Sequence, residues 1–286
     1  MHQRRSKSLL LAAVVLSACT DSEPPAETTA VPAGTEPSSP AGSAVVSPQP
    51  VPPRDNTEPR TTGVHWSYGG RSAPQYWGQI SPAYTLCARG KNQSPIDIST
   101  VTISNLPPLS FDYHETGLMV VNNGLTLVAT PERANHVLFG DRRFRLTELH
   151  FHAPGEHSLG GRIFPMSIHF VHAHPDEGPL IIALFLTPGK SNPELAKIWR
   201  ELTLEKDQRS ATPVSVSLPD IVPETTAYYH YQGSLTTPPC TEGVSWLVLA
   251  EPQTISEQQR DQWQRRFVDN ARYRQPLNGR VVWRSN

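Results

Sequence analysis

A mainly β (α+β) fold, a single domain with a few peripheral helices, is what this sequence predicts, and three observations predict it. Six short segments are apolar or alternate in polarity and are bounded by Gly, Pro or Asn: Leu118–Val121, Thr126–Ala129, Phe144–Phe151, Met166–His172, Leu180–Thr187 and Val244–Leu249. Helix signals are few. After Gly63 no repeat and no second low-complexity stretch interrupts the chain, so residues 63–286 read as one domain, long enough to bury a core of its own.

The run Leu180–Leu186 is apolar throughout, as expected of a strand covered on both faces. Asn192-Pro193 can cap and start a helix, and Leu195, Ile198, Trp199 and Leu202 then recur at helical spacing. Ser256 with Gln259 makes a capping box ahead of Trp263 and Phe267. The aromatic residues Trp66, Tyr68, Trp77, Tyr228, Tyr229 and Tyr231 suit core and edge positions.

The first sixty residues have a different character. Arg4, Arg5 and Lys7 precede Leu9–Leu16, a run too short to span a bilayer, which needs about 20 apolar residues. It fits the apolar region of a secretory signal. Leu16-Ser17-Ala18-Cys19 resembles the lipobox of bacterial lipoproteins, so residues 1–19 are expected to be a signal peptide ending in a lipidated Cys19. From Thr20 to Thr62 the chain holds ten of its 29 prolines, many Ser, Thr and Ala, and no aromatic residue. Such a stretch cannot bury enough apolar surface to offset its ordering entropy and is expected to be a disordered tether.

Charge and cysteines narrow the function. Lys and Arg number 25 against 26 Asp and Glu; without residues 1–18 the balance is 22 against 26, or -4. That balance argues against a nucleic-acid partner held by electrostatics, and any membrane contact is expected only through the N-terminal lipid. The predicted location is exported, in the periplasm or at the cell surface. If Cys19 carries lipid, Cys87 and Cys240 remain. Outside the cytoplasm two such cysteines usually pair, the alternative being two buried thiols. A bridge would close a loop of roughly 150 residues, worth about 4–5 kcal/mol in the chain-entropy model.

Six of the 11 histidines fall between residues 150 and 174. In a strand, side chains alternate between faces. His150 and His152 therefore share a face, with Leu149 and Phe151 behind them. If Met166–His172 pairs antiparallel beside them through a Gly-rich turn, Ser167, His169 and Val171 share one of its faces. Three neutral imidazoles with an open fourth position describe a catalytic zinc site. The competing reading is a set of partly exposed histidines without metal. His172 faces the other way, and His174 lies in a turn before Pro175.

Several separated motifs are together similar to the alpha-class carbonic anhydrases of bacteria. They are His65-Trp66-Ser67-Tyr68-Gly69, Lys91-Asn92-Gln93-Ser94-Pro95-Ile96-Asp97-Ile98, Phe151-His152-Ala153-Pro154-Gly155-Glu156-His157-Ser158, Gly233-Ser234-Leu235-Thr236-Thr237-Pro238-Pro239-Cys240-Thr241-Glu242-Gly243, and the closing Asn270 to Arg280. The resemblance runs from about Val64 to Arg280. It implies a large, mostly antiparallel, twisted central sheet, and reversible hydration of carbon dioxide to bicarbonate and a proton. It implies Zn2+ on His150, His152 and His169, and a disulfide between Cys87 and Cys240. Catalytic roles fall to Thr236 and Glu156. Thr236 would donate a hydrogen bond to Glu156 and accept one from zinc-bound hydroxide, which orients the nucleophile. Val171, Leu235, Val244 and Trp246 would form the apolar wall for carbon dioxide, with Thr237 and Leu125 also lining the pocket. Tyr68 and Tyr231 match polar positions around the cleft, and His157 a structural one.

Three positions depart from the family pattern. After Asn122-Asn123-Gly124 the chain has Leu125, where fast members carry a proton-shuttling histidine. Two residues before the first ligand stands Glu148 instead of glutamine, and two before the third stands Ser167 instead of glutamate. The acidic partner thus moves from His169 to His150, and Glu148 is expected to compensate for Ser167. Two rival functions fit the same fold: a non-catalytic zinc-binding envelope protein, and a zinc hydrolase of activated esters.

Overall fold

Alternation along the strands decides which side of the molecule each residue meets. The structure is a computed structural model and describes residues 65–286. The expected signal peptide, Cys19 and the tether over 20–62 lie outside the described residues. Ten strands form the path of a thirteen-stranded sheet. They are β1 (Thr102–Ile103), β2 (Glu115–Asn122), β3 (Leu127–Pro131), β4 (Arg142–His152), β5 (Met166–Ala173), β6 (Leu180–Pro188), β7 (Val214–Ser217), β8 (Tyr228–Ser234), β9 (Glu242–Leu249) and β10 (Trp283–Arg284). Their spatial order is β7-β2-β3-β4-β5-β6-β9-β8-β10-β1. Neighbours pair antiparallel except β6 with β9 and β10 with β1. All six expected strands are present, and the sheet is mostly antiparallel.

The sheet separates two cores. Leu149, Phe151, Ile168, Phe170, Ile182, Leu184, Leu247 and Leu249 point to the larger one. Ile181, Ala183, Phe185, Val244, Trp246 and Val248 point to a smaller one on the opposite face, the face that also carries His150, His152 and His169. Every residue of Leu180–Leu186 is buried, as its unbroken apolar run requires.

Two helices close the larger core. In α1 (Pro193–Trp199) the Asn192 side chain accepts from the Glu194 and Leu195 backbone N–H groups. Helical spacing predicted this element through Leu202, but Arg200–Thr203 winds as a 3-10 turn, a common tightening at helix ends. Leu202 still packs against the core. In α2 (Glu257–Arg266) both bonds of the Ser256–Gln259 capping box are made. Trp199 and Trp263 from these helices meet Phe151 at ring distances of 5.1 and 5.0 Å. They brace β4 from behind at the residue between its two ligand-candidate histidines.

The link between β4 and β5 is more than the expected Gly-rich turn. Ser158–Leu159 and Arg162–Ile163 form a hairpin whose first strand pairs parallel with Asp97–Ile98. Gly160 and Gly161 turn it at φ of 55° and 79°, values that L side chains rarely adopt. Cys87 and Cys240 are joined in a disulfide packed on Trp77.

Candidate metal centre

The β4–β5 register sets His169 opposite His150 and Ser167 opposite His152. Adjacent antiparallel strands with this register bring three imidazoles to one spot, and their ligand-capable atoms all lie within 4.8 Å of one another. His152 and His169 are almost wholly buried, and His150 opens to solvent at 16% exposure. Burial pulls the His152 pKa down to about 3 and the His169 pKa well below its ordinary value, with the neighbouring histidines adding to the effect. Both rings are therefore neutral near pH 7, the state a metal requires.

Hydrogen bonds orient the rings. His152 Nδ1 lies 2.7 Å from the Asn270 carbonyl, so Nδ1 carries the proton and Nε2 keeps its lone pair. His152 Nε2, the nitrogen turned inward beside Glu156, is buried with no hydrogen-bond partner. A buried inward nitrogen without a partner, in an all-imidazole donor set of three, fits a metal ion with an open coordination position.

Glu156 is fully buried beside them. Its Oε2 lies 3.6 Å from His152 Nε2 and 3.8 Å from His169 Nδ1. Burial pushes its pKa up to about 8, opposed by hydrogen bonds from the Arg272 backbone N–H, 2.8 Å from Oε1, and from the Thr236 side chain. Thr236 is itself buried, just after β8. Its loop is latched by Leu235 N–H to the Thr241 carbonyl and by Cys240 N–H to the Thr237 carbonyl.

Val171 and Leu235 are half-buried and pack on the cluster that contains Val244 and Trp246. The last two are wholly buried. Trp246 meets the His169 ring edge-on at 4.9 Å. Tyr231 is buried, in keeping with a core position. A ring flanked by β9 and β10 loses its water, and its hydroxyl bonds Ser94 Oγ at 2.8 Å and His157 Nε2 at 2.7 Å. Thr237 and Leu125 are half-buried, and the Leu125 carbonyl accepts from Asn270 Nδ2 at 3.0 Å. Glu148 Oε1 lies 3.2 Å from His150 Nδ1, and Ser167 is fully buried.

Asn270 and Arg272 escaped sequence reasoning as site residues. They lie more than a hundred positions from the groups they hold and act partly through backbone atoms, which no side-chain pattern reports.

The family model described as eukaryotic-type carbonic anhydrase matches residues 72–286. A carbonic anhydrase of Pectobacterium carotovorum is 39% identical over 223 residues, 78% of this chain and 91% of that protein. One from Neisseria gonorrhoeae is 40% identical over 225 residues, 77% of this chain and 87% of that protein. Among solved structures, the alpha-carbonic anhydrase of Thermovibrio ammonificans, complexed with the inhibitor sulfanilamide, superposes with a TM-score of 0.74 at 41% identity. It covers 77% of this chain and 99% of its own.

Proposed function

The chain belongs to the eukaryotic-type carbonic anhydrase family, and from that premise we propose how its residues carry out the reaction. The activity is the reversible hydration of carbon dioxide. His150, His152 and His169 would hold zinc. Imidazole suits several transition metals, and the family favours zinc among them. When bound, zinc supplies a water that ionises at a pKa of about 7, a nucleophile available at neutral pH.

The protein's part is orientation and selection. The Asn270 carbonyl holds His152 in the tautomer that presents Nε2 inward. Glu156, held by the Arg272 N–H, accepts a hydrogen bond from the Thr236 hydroxyl. The Thr236 oxygen can then only accept, so it favours a nucleophile that donates a proton to it, and it holds that nucleophile in one orientation. The Thr236 backbone N–H would stabilise oxygen charge as it develops. The Val171 and Leu235 side chains offer no hydrogen bonds, which suits a neutral linear substrate and an anionic product that must leave. Leu125 cannot relay a proton, so protons leave through solvent and buffer.

The observation that carries this reading is the three-imidazole cluster within 4.8 Å beside a buried Thr–Glu pair. Stopped-flow hydration of carbon dioxide tests it: His150→Ala should lose nearly all activity, and a zinc-loaded parent no faster than His150→Ala would overturn it.

The compartment follows from other features. The Cys87–Cys240 bridge suits an oxidising environment. Among the described residues no helix is long and apolar enough to cross a membrane. With the lipobox at Cys19, these features favour an exported protein, lipid-anchored in the periplasm or at the cell surface, whose partners are carbon dioxide and bicarbonate.

A further inference from the structure

The three ligand histidines differ in what holds their outward nitrogens. His150 Nδ1 faces the Glu148 carboxylate at 3.2 Å. His152 Nδ1 faces the Asn270 carbonyl at 2.7 Å. For His169 the inward nitrogen is Nδ1, because it approaches the same Glu156 oxygen as His152 Nε2 does. Its outward nitrogen is therefore Nε2, which is buried without a partner. Ser167, two residues back on the same face, also has a buried hydroxyl with no partner. The His169 ring is kept in place by contact alone, edge-on to Trp246 and 6.1 Å from the His157 ring.

An acceptor behind a ligating imidazole fixes its ring and raises its basicity, and a carboxylate does so more strongly than a neutral group. Packing restrains a ring but adds no basicity. Glu148 is also the partner with the smallest desolvation penalty, at 29% exposure, whereas position 167 is fully buried between His152 and Phe185 in the sheet register.

We propose that this centre holds its metal unevenly. Glu148 is the positioning residue that secures the metal through His150, and His169 is the compliant corner. A carboxylate supplied at position 167 relieves the dependence on Glu148. The proposal rests on the zinc-site reading above and goes beyond it by ranking the three corners.

Zinc dissociation constants, measured on the full chain by competition with a chelator, test it, with melting of the metal-free proteins as the check on folding. Glu148→Gln keeps an acceptor oxygen and removes the charge, and should weaken zinc about tenfold; Glu148→Leu removes both and should weaken it about 100-fold. Ser167→Ala should leave affinity within about twofold, since its hydroxyl bonds nothing. Ser167→Asp in the Glu148→Gln background should recover the loss. If that double variant does not fold, the single variants decide. Equal affinity in parent and Glu148→Leu, or a loss in Ser167→Ala as large as that in Glu148→Leu, overturns the proposal. The two readings fail differently. Undiminished zinc affinity in His150→Ala would overturn the metal site itself. A loss there with none in Glu148→Leu would overturn only the ranking.

Discussion

His169 and His172 lie three residues apart on β5 and are both buried, yet they face opposite sides of the sheet and different tasks. His172 looks into the larger core. One of its nitrogens meets the Tyr113 hydroxyl at 2.7 Å and the other the Leu180 carbonyl at 3.3 Å, and the two rings stack. His169 looks toward the opposite face, where its Nδ1 converges with two more histidines while its outward Nε2 has no partner. Burial lowers both pKa values. Burial and titration therefore do not separate a structural histidine from a metal ligand. Hydrogen-bond completeness and convergence do.

The largest expected effect comes from exchanging the two in the experiment. His169→Ala should abolish tight zinc binding and nearly all hydration activity while the metal-free fold survives. His172→Leu should keep zinc and activity but strand the Tyr113 hydroxyl, costing roughly 1–3 kcal/mol in denaturant unfolding. Equal activity losses in the two would erase the distinction.

Acid titration sharpens it further. The His172 pKa falls from an ordinary 6.5 to about 3 in the folded protein, because burial penalises the charged form. Below pH 6.5 the unfolded chain binds a proton there that the folded chain refuses. Its contribution is thus present above 6.5 and is lost as pH falls toward 3. Stability of His172→Leu should therefore fall less steeply with acid over that window than stability of the parent. Parallel slopes would place the acid sensitivity elsewhere.

The smallest effect concerns Leu125. Leu125→His should raise turnover in weak buffer and leave it unchanged in strong buffer, because it adds a relay without touching the metal. No change in weak buffer would mean that another group already moves the proton.

Much of this was legible in the chain because β structure writes itself as parity. The pattern Leu149-His150-Phe151-His152 against Ser167-Ile168-His169 already said which histidines share a face, and it set His172 aside. Its capping signals located both helices, although the end of α1 tightened into a 3-10 turn that spacing does not encode. Thr236 and Glu156 were legible only through resemblance, since a threonine before two prolines and a lone acid carry no pattern. The partners of Trp246 and Tyr231 were not legible, because the His169 ring, Ser94 and His157 come from distant segments.

The sequence by itself determined the strands, the face of each ligand and the pair of cysteines available for a bridge, since these follow from local alternation and residue chemistry. Only the tertiary structure decided the parallel contact of β6 with β9, the Asn270 carbonyl behind His152, the Arg272 N–H on Glu156, and the missing partner behind His169. Each joins segments distant along the chain, often through backbone atoms that every residue shares, so residue type holds no record of them. The two faces of β5 show the division: parity assigned His169 and His172 to opposite sides, and packing decided which ring would be complete without a metal.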